Sequence, residues 1–166
     1  SSPGGSINAT KVKQSTNVLN PTSTVEKSLV DDIVKNGDQS GAKTEQLINS
    51  IAQRSGFTPI KGGIYNKGVN GFDHVLKAKD GTIVIMDSKQ ISKSGTLSVS
   101  SKAAGNTNQL SPAWIEVVID KLPDSDPAKI AIENAKRAGK PIKTIITAVD
   151  KQNGVIKIIP VEIPNK

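Results

Sequence analysis

The 166-residue sequence has no cysteine and a single histidine. Without cysteine there are no disulfides, no thiolate nucleophile and no Cys-ligated zinc. A catalytic triad or a histidine-rich metal site would have to be built around His74 alone. Aromatic residues are scarce: Phe57, Tyr65, Phe72 and Trp114 are the whole set. So few rings do not make a platform on which bases stack, and sequence-reading of single strands is not expected. No apolar run approaches the ~18 residues of a membrane span, and no signal peptide is visible.

What is present is basic charge. Net charge is +7, with 22 Lys and Arg against 15 Asp and Glu. Residues 1–56 hold six basic and five acidic residues, and residues 57–166 hold sixteen and ten. The second part therefore suits a polyanion such as nucleic acid, with phosphates rather than bases as the points of attachment.

Residues 1–24 are rich in Ser, Thr, Asn, Gly and Pro and show no apolar period. They are expected to be a flexible lead. "TVEKSLVDDIVKNG" then predicts a helix with Val25, Leu29, Ile33 and Val34 on one face, and "KTEQLINSIAQRSG" a second with Leu47, Ile48, Ile51 and Ala52. Residues 1–40 are thus expected to be a flexible lead and a helix that could belong to an entry region, with the functional domain over 41–166. "FTPIKGGIYN", "FDHVLK" and "TIVIMDSK" predict strands, the last two as a hairpin. Gly62, Gly63 and Gly68 mark bends, and no phosphate-binding Gly-Lys-Ser/Thr loop follows them. "SPAWIEVVIDKL" predicts a buried helix. "DPAKIAIENAKRAG" predicts another, with Asp126 as N-cap, Pro127 at the first helical position and Gly139 as stop. "PIKTIITAVD" and "GVIKIIPVEIP" close the chain as strands around Gln152-Asn153-Gly154. Pro160 predicts an edge position for the last strand. The fold class is α/β (α+β), a central mixed sheet flanked by helices.

The hairpin raises the chemical question. Its most apolar strand runs straight into Asp87-Ser88-Lys89. If Lys79-Asp80-Gly81 is a three-residue loop with Gly81 left-handed, Ala78 faces Thr82 and Asp73 faces Asp87. Lys89, two residues on, shares that face. A two-residue turn would instead oppose Asp73 to Ser88 and disperse the group. Facing carboxylates repel and call for a cation, and a hard ion such as Mg²⁺ is held by one or two carboxylates plus water and phosphate oxygens. A nearby lysine orients water and offsets charge building on phosphorus. The constellation is a minimal site for metal-dependent phosphodiester hydrolysis. The alternative is a plain Asp–Lys pair at a strand end, in a basic nucleic-acid-binding module without catalysis.

The order helix–strand–strand–strand–helix–strand, with "GFD" opening one strand and "IVIMDSK" ending the next, resembles the PD-(D/E)XK nuclease superfamily over roughly residues 42–150. It looks most like the toxin nucleases at the C-termini of bacterial polymorphic toxins, including contact-dependent growth inhibition effectors. The resemblance implies a restriction-endonuclease-like αβββαβ core, Asp73 and Asp87 as metal ligands and Lys89 as the catalytic lysine. Phe72 stands where the superfamily's proline would be. The helical glutamate is matched by Glu45, with Glu26 as rival. The implied cofactor is Mg²⁺, with Mn²⁺ or Zn²⁺ as alternatives. Gln90 and Gln109 are candidate substrate-binding residues. Trp114 and His74 are expected to be structural. The resemblance also implies a secreted or cell-surface toxin acting in the cytoplasm of a target bacterium, on DNA or alternatively tRNA. Residues 92–108, long and polar, are expected to form a mobile hairpin on which an acidic immunity protein docks over the mouth of the site, matching the seven lysines and three aspartates of residues 61–102.

Overall fold

The computed structural model describes residues 22–67, 70–90, 98–150 and 155–166, together with the backbone of Ser6–Asn8 and Asn17–Leu19. The side chain of Gln90 lies outside that set, as do the expected bend at Gly68 and the turn at 152–154. The order is β1 (Ser6–Asn8), β2 (Asn17–Leu19), α1 (Thr24–Asn36), α2 (Ala42–Arg54), β3 (Thr58–Ile60), β4 (Ile64–Tyr65), β5 (Asn70–Gly71), β6 (His74–Lys77), β7 (Ile83–Gln90), β8 (Ser98–Ser100), α3 (Pro112–Lys121), α4 (Pro127–Arg137), β9 (Ile142–Asp150) and β10 (Val155–Val161). Among the described residues no helix is long and apolar enough to cross a membrane.

Six strands form one mixed sheet in the order β2-β10-β9-β7-β6-β3. β7 and β9 run parallel, joined by the crossover that carries α3 and α4, and the other neighbours are antiparallel. Alternation along the strands splits the core. Val75, Ile83, Ile85, Ile146 and Ala148 pack with α3 and α4 on one face. Leu76, Val84, Met86 and Ile145 pack with Ile48 and Ala52 of α2 on the other. Val149 and Ile156 join Val30 and Ile33 of α1 to Leu47 and Ile51 of α2. Each such aliphatic side chain, fully removed from water, contributes roughly 1.5–3 kcal/mol.

The expected helices form. Ser111 caps α3 by accepting from Trp114 N at 3.2 Å, and Asp126 caps α4 by accepting from Lys129 N at 3.0 Å. Asp126 also accepts from Gly63 N at 3.0 and 3.1 Å, so one buried carboxylate joins the start of α4 to the glycine bend after β3. Gly62 and Gly63 both have positive φ there.

Several expectations need correction. The lead carries two short strands: β1 pairs with β8, and β2 adds to the large sheet beside β10. β10 therefore has neighbours on both sides along Ile156–Ile158. Among the described residues it is an edge only further on, where Pro160 stands. On α1 the buried residues are Glu26, Val30 and Ile33, whereas Val25 and Val34 face solvent. The segment 98–108 is not a free hairpin. Val99 is 1% exposed in the core, Ala103 and Thr107 bridge each other, and Asn108 is buried. Residues 91–97 lie outside the described residues.

Candidate active site

The hairpin joining β6 and β7 has the three-residue loop. Ala78 N donates to Thr82 O at 2.9 Å, Gly81 N to Ala78 O at 3.0 Å, and Gly81 has φ 93°. The ladder pairs Lys77 with Ile83 and His74 with Met86. Asp73, in the bend just before β6, lies one residue beyond the last pair, and its carboxylate meets that of Asp87. Beyond β6 the end of β7 runs on beside β9, with Asp87 next to Ile146 and Lys89 next to Ala148.

Asp87 is 5% exposed and Lys89 is partly exposed. Asp87 Oδ2 lies 3.0 Å from Lys89 Nζ as an ion pair and, among the described residues, has no other hydrogen-bond partner. Burial pushes the Asp87 carboxyl up to about 8, aided by the hydrogen bond and the charge of Asp73 and opposed by Lys89. The Lys89 ammonium also donates to Gln109 Oε1 at 3.3 Å. Asp73 Oδ2 accepts from Ser88 N at 3.2 Å.

A cleft of about 360 Å³ opens beside this group and takes in Asp73 and Lys89 but not Asp87 or Gln109. Asp73, His74, Ser88 and Lys89 line its floor, and Asp38, Ser40, Thr44 and Glu45 its other wall. It wraps around the end of the sheet. Asp87 and Lys89 point to the α3 side by strand alternation, and His74 and Ser88 to the α2 side. His74 Nε2 is 3.2 Å from Ser88 Oγ, and burial lowers its pKa against the opposing charges of Asp73 and Glu45. A larger hollow of about 500 Å³, between α3, the start of β9 and the C-terminal residues, is lined by Glu116, Lys136 and Glu162 among apolar residues.

Asp73, Asp87, Lys89 and Gln109 thus meet. Glu45 shares the cleft but reaches in from α2, on the opposite face of the sheet. Among the described residues no three His, Asp or Glu side chains stand close enough to hold a metal together. The rival Glu26 is elsewhere. It is 1% exposed and accepts from Ser50 Oγ at 2.8 Å, Arg54 Nε at 3.1 Å and Thr22 N at 3.2 Å. Burial works to raise its pKa, but these bonds and the Arg54 charge hold it below the ordinary range. Trp114 is a core residue, its ring edge-on to Phe72 at 5.3 Å.

Two further residues of the cleft, Ser88 and Asp38, are not singled out by sequence reasoning. Ser88 is held on both sides, by Asp73 through its backbone and by His74 through its hydroxyl. Asp38 caps α2 by accepting from Lys43 N at 3.2 Å and Thr44 N at 2.7 Å.

The donor set at Asp73 and Asp87 is hard oxygen, and among the described residues one of those oxygens is buried with no partner but the Lys89 ion pair, which fits a hard divalent ion. Comparison with protein-family models, curated proteins and solved structures finds no match to this chain.

Proposed function

We propose that the protein hydrolyses phosphodiester bonds in DNA, with a divalent ion held by Asp73 and Asp87 and with Lys89 as the catalytic cation. The observation that carries this reading is the contact of two carboxylates, Asp73 and the buried Asp87, with an ammonium 3.0 Å from Asp87. When bound, the ion polarises the phosphoryl group and lowers the pKa of its water. The residues supply the rest. Asp73 and Asp87 would hold the cation through their carboxylate oxygens. Ser88 N–H holds Asp73 in place. Lys89 brings positive charge to the phosphate oxygens and orients the attacking water. The order α2, β3, β6, β7, α3, β9 supports a PD-(D/E)XK nuclease core, and the net charge of +7 supports a nucleic-acid substrate.

On this reading the chain is a toxin domain delivered into a competing bacterium and neutralised by an acidic immunity protein at the cleft mouth. Residues 98–108 belong to the packed structure, so docking over the 92–108 stretch is tested by substituting 92–97 alone. Unchanged neutralisation by the immunity protein would remove that segment from the interface.

A second reading is a basic binding module in which Asp87 and Lys89 merely pair, favoured by their 3.0 Å separation. Incubation with plasmid and with total tRNA, each with and without EDTA, decides among these. Chelator-sensitive cutting of plasmid is expected. Cutting of tRNA alone moves the substrate to RNA, and a mobility shift without cutting leaves the binding module.

A further inference from the structure

Among the described residues, the ammonium of Lys89 has two polar neighbours, Asp87 and Gln109. Asp87 Oδ2 is the nearer, at 3.0 Å, as an ion pair. Gln109 Oε1, at 3.3 Å, accepts a hydrogen bond. Gln109 and Asp87 together hold the head group at the edge of the cleft that the Lys89 side chain lines.

The backbone around Gln109 is built to hold it there. Leu110 has φ 68°, a left-handed conformation that a non-glycine residue adopts only where its surroundings over-determine it. Its side chain is 1% exposed in the core with Trp114 and Val118. On one side of the strained residue, Gln109 N donates to Ser100 O at 2.8 Å. On the other, Ser111 is fully buried, caps α3, and donates from its own N to Asn108 O at 3.1 Å. Asn108 is tied in turn to Pro164 O at 2.9 Å. Every residue from 108 to 111 is fixed by the core or by a hydrogen bond. Such outliers gather where strain serves a site.

We propose that Gln109 is a positioning residue, held by the strained Leu110 corner, that anchors the Lys89 ammonium beside Asp87 at the edge of the cleft. This rests on the hydrolase reading for its consequence, though not for its geometry. It differs from direct substrate binding, which is the other role open to a glutamine here. Removing a group that grips substrate equally in ground and transition states raises KM, whereas misplacing the lysine lowers kcat.

The test pairs Gln109→Met, which keeps length and removes the acceptor, with Gln109→Glu, which keeps an acceptor oxygen. Cleavage of a DNA substrate with excess Mg²⁺ should show kcat down about tenfold or more in Gln109→Met, with KM within about twofold, and most of the rate retained in Gln109→Glu. The second readout needs no activity. A hydrogen-bonded ammonium exchanges slowly and gives a resolved side-chain ¹⁵N–¹H signal, assigned by its disappearance in Lys89→Gln. That signal should vanish in Gln109→Met and persist in Gln109→Glu. Persistence in Gln109→Met, or a rise in KM at constant kcat, would overturn the proposal. A wild type that cuts nothing while the signals behave as expected would overturn the hydrolase reading and leave Gln109 as the group that anchors Lys89.

Discussion

The carboxylate of Asp73, one residue beyond the last pair of the β6–β7 ladder, His74 and Met86, meets that of Asp87. The ladder itself does not reach them. Their contact is kept by Ser88, whose N–H binds Asp73 and whose hydroxyl meets His74. On the proposed function, Asp73→Ala, Asp87→Ala and Lys89→Ala each abolish cutting of plasmid while circular dichroism stays native-like. Turnover at the wild-type rate by Asp87→Ala, in a chelator-sensitive assay, would sink the assignment.

The state of Asp87 makes stability depend on pH with a definite sign. Its folded pKa is raised to about 8, while an unfolded aspartate titrates near 3.9. The native form therefore holds the proton more tightly. This contribution is fully present below the unfolded value and is lost as pH rises towards about 8. Melting temperature should fall between about pH 5 and pH 8, and Asp87→Asn should flatten that fall. Excess Mg²⁺ should stabilise the wild type more at the upper end of that window than at the lower, since ion and proton compete for one carboxyl. A fall of equal steepness in Asp87→Asn would place its cause elsewhere.

The two glutamates separate cleanly. Glu26→Gln disturbs a buried set of bonds to Ser50, Arg54 and Thr22 and should cost roughly 1–3 kcal/mol. Glu45→Gln, on the cleft wall, should leave urea unfolding unchanged and lower cutting. Abolished cutting in a fully folded Glu26→Gln, with Glu45→Gln unaffected, would reverse the roles.

Asp126→Ala removes a helix cap and strands a Gly63 N–H that the carboxylate satisfies from across the fold. The two effects together should cost roughly 2–3 kcal/mol in chemical denaturation. A change within error would mean that water replaces the carboxylate at both places.

The hairpin register is legible in the sequence because it hangs on one glycine. Lys79-Asp80-Gly81 admits a three-residue loop with Gly81 left-handed, and the approach of Asp73 to Asp87 follows by counting. α4 is legible from Asp126, Pro127 and Gly139, all local signals. β1 and β2 are not, because three-residue strands carry no period of their own and find partners in β8 and β10, far along the chain. The buried face of α1 departs from its apolar pattern because a carboxylate, Glu26, takes a core position once Arg54 and Ser50 are beside it. Gln109 is legible as a residue near the site, but its hold on Lys89 depends on the unusual backbone of Leu110, which no leucine announces.

The parallel pairing of β7 with β9 has a consequence in time. Asp87, Ser88 and Lys89 extend past β6 and find their strand neighbours at Ile146, Thr147 and Ala148. The hairpin closes a short loop and can form early, but β9 reaches β7 only after the whole α3–α4 crossover has been made and folded back. The charged end of β7 is thus among the last parts of the chain to be fixed, and a nascent chain that stops before β9 carries all three residues without an assembled site.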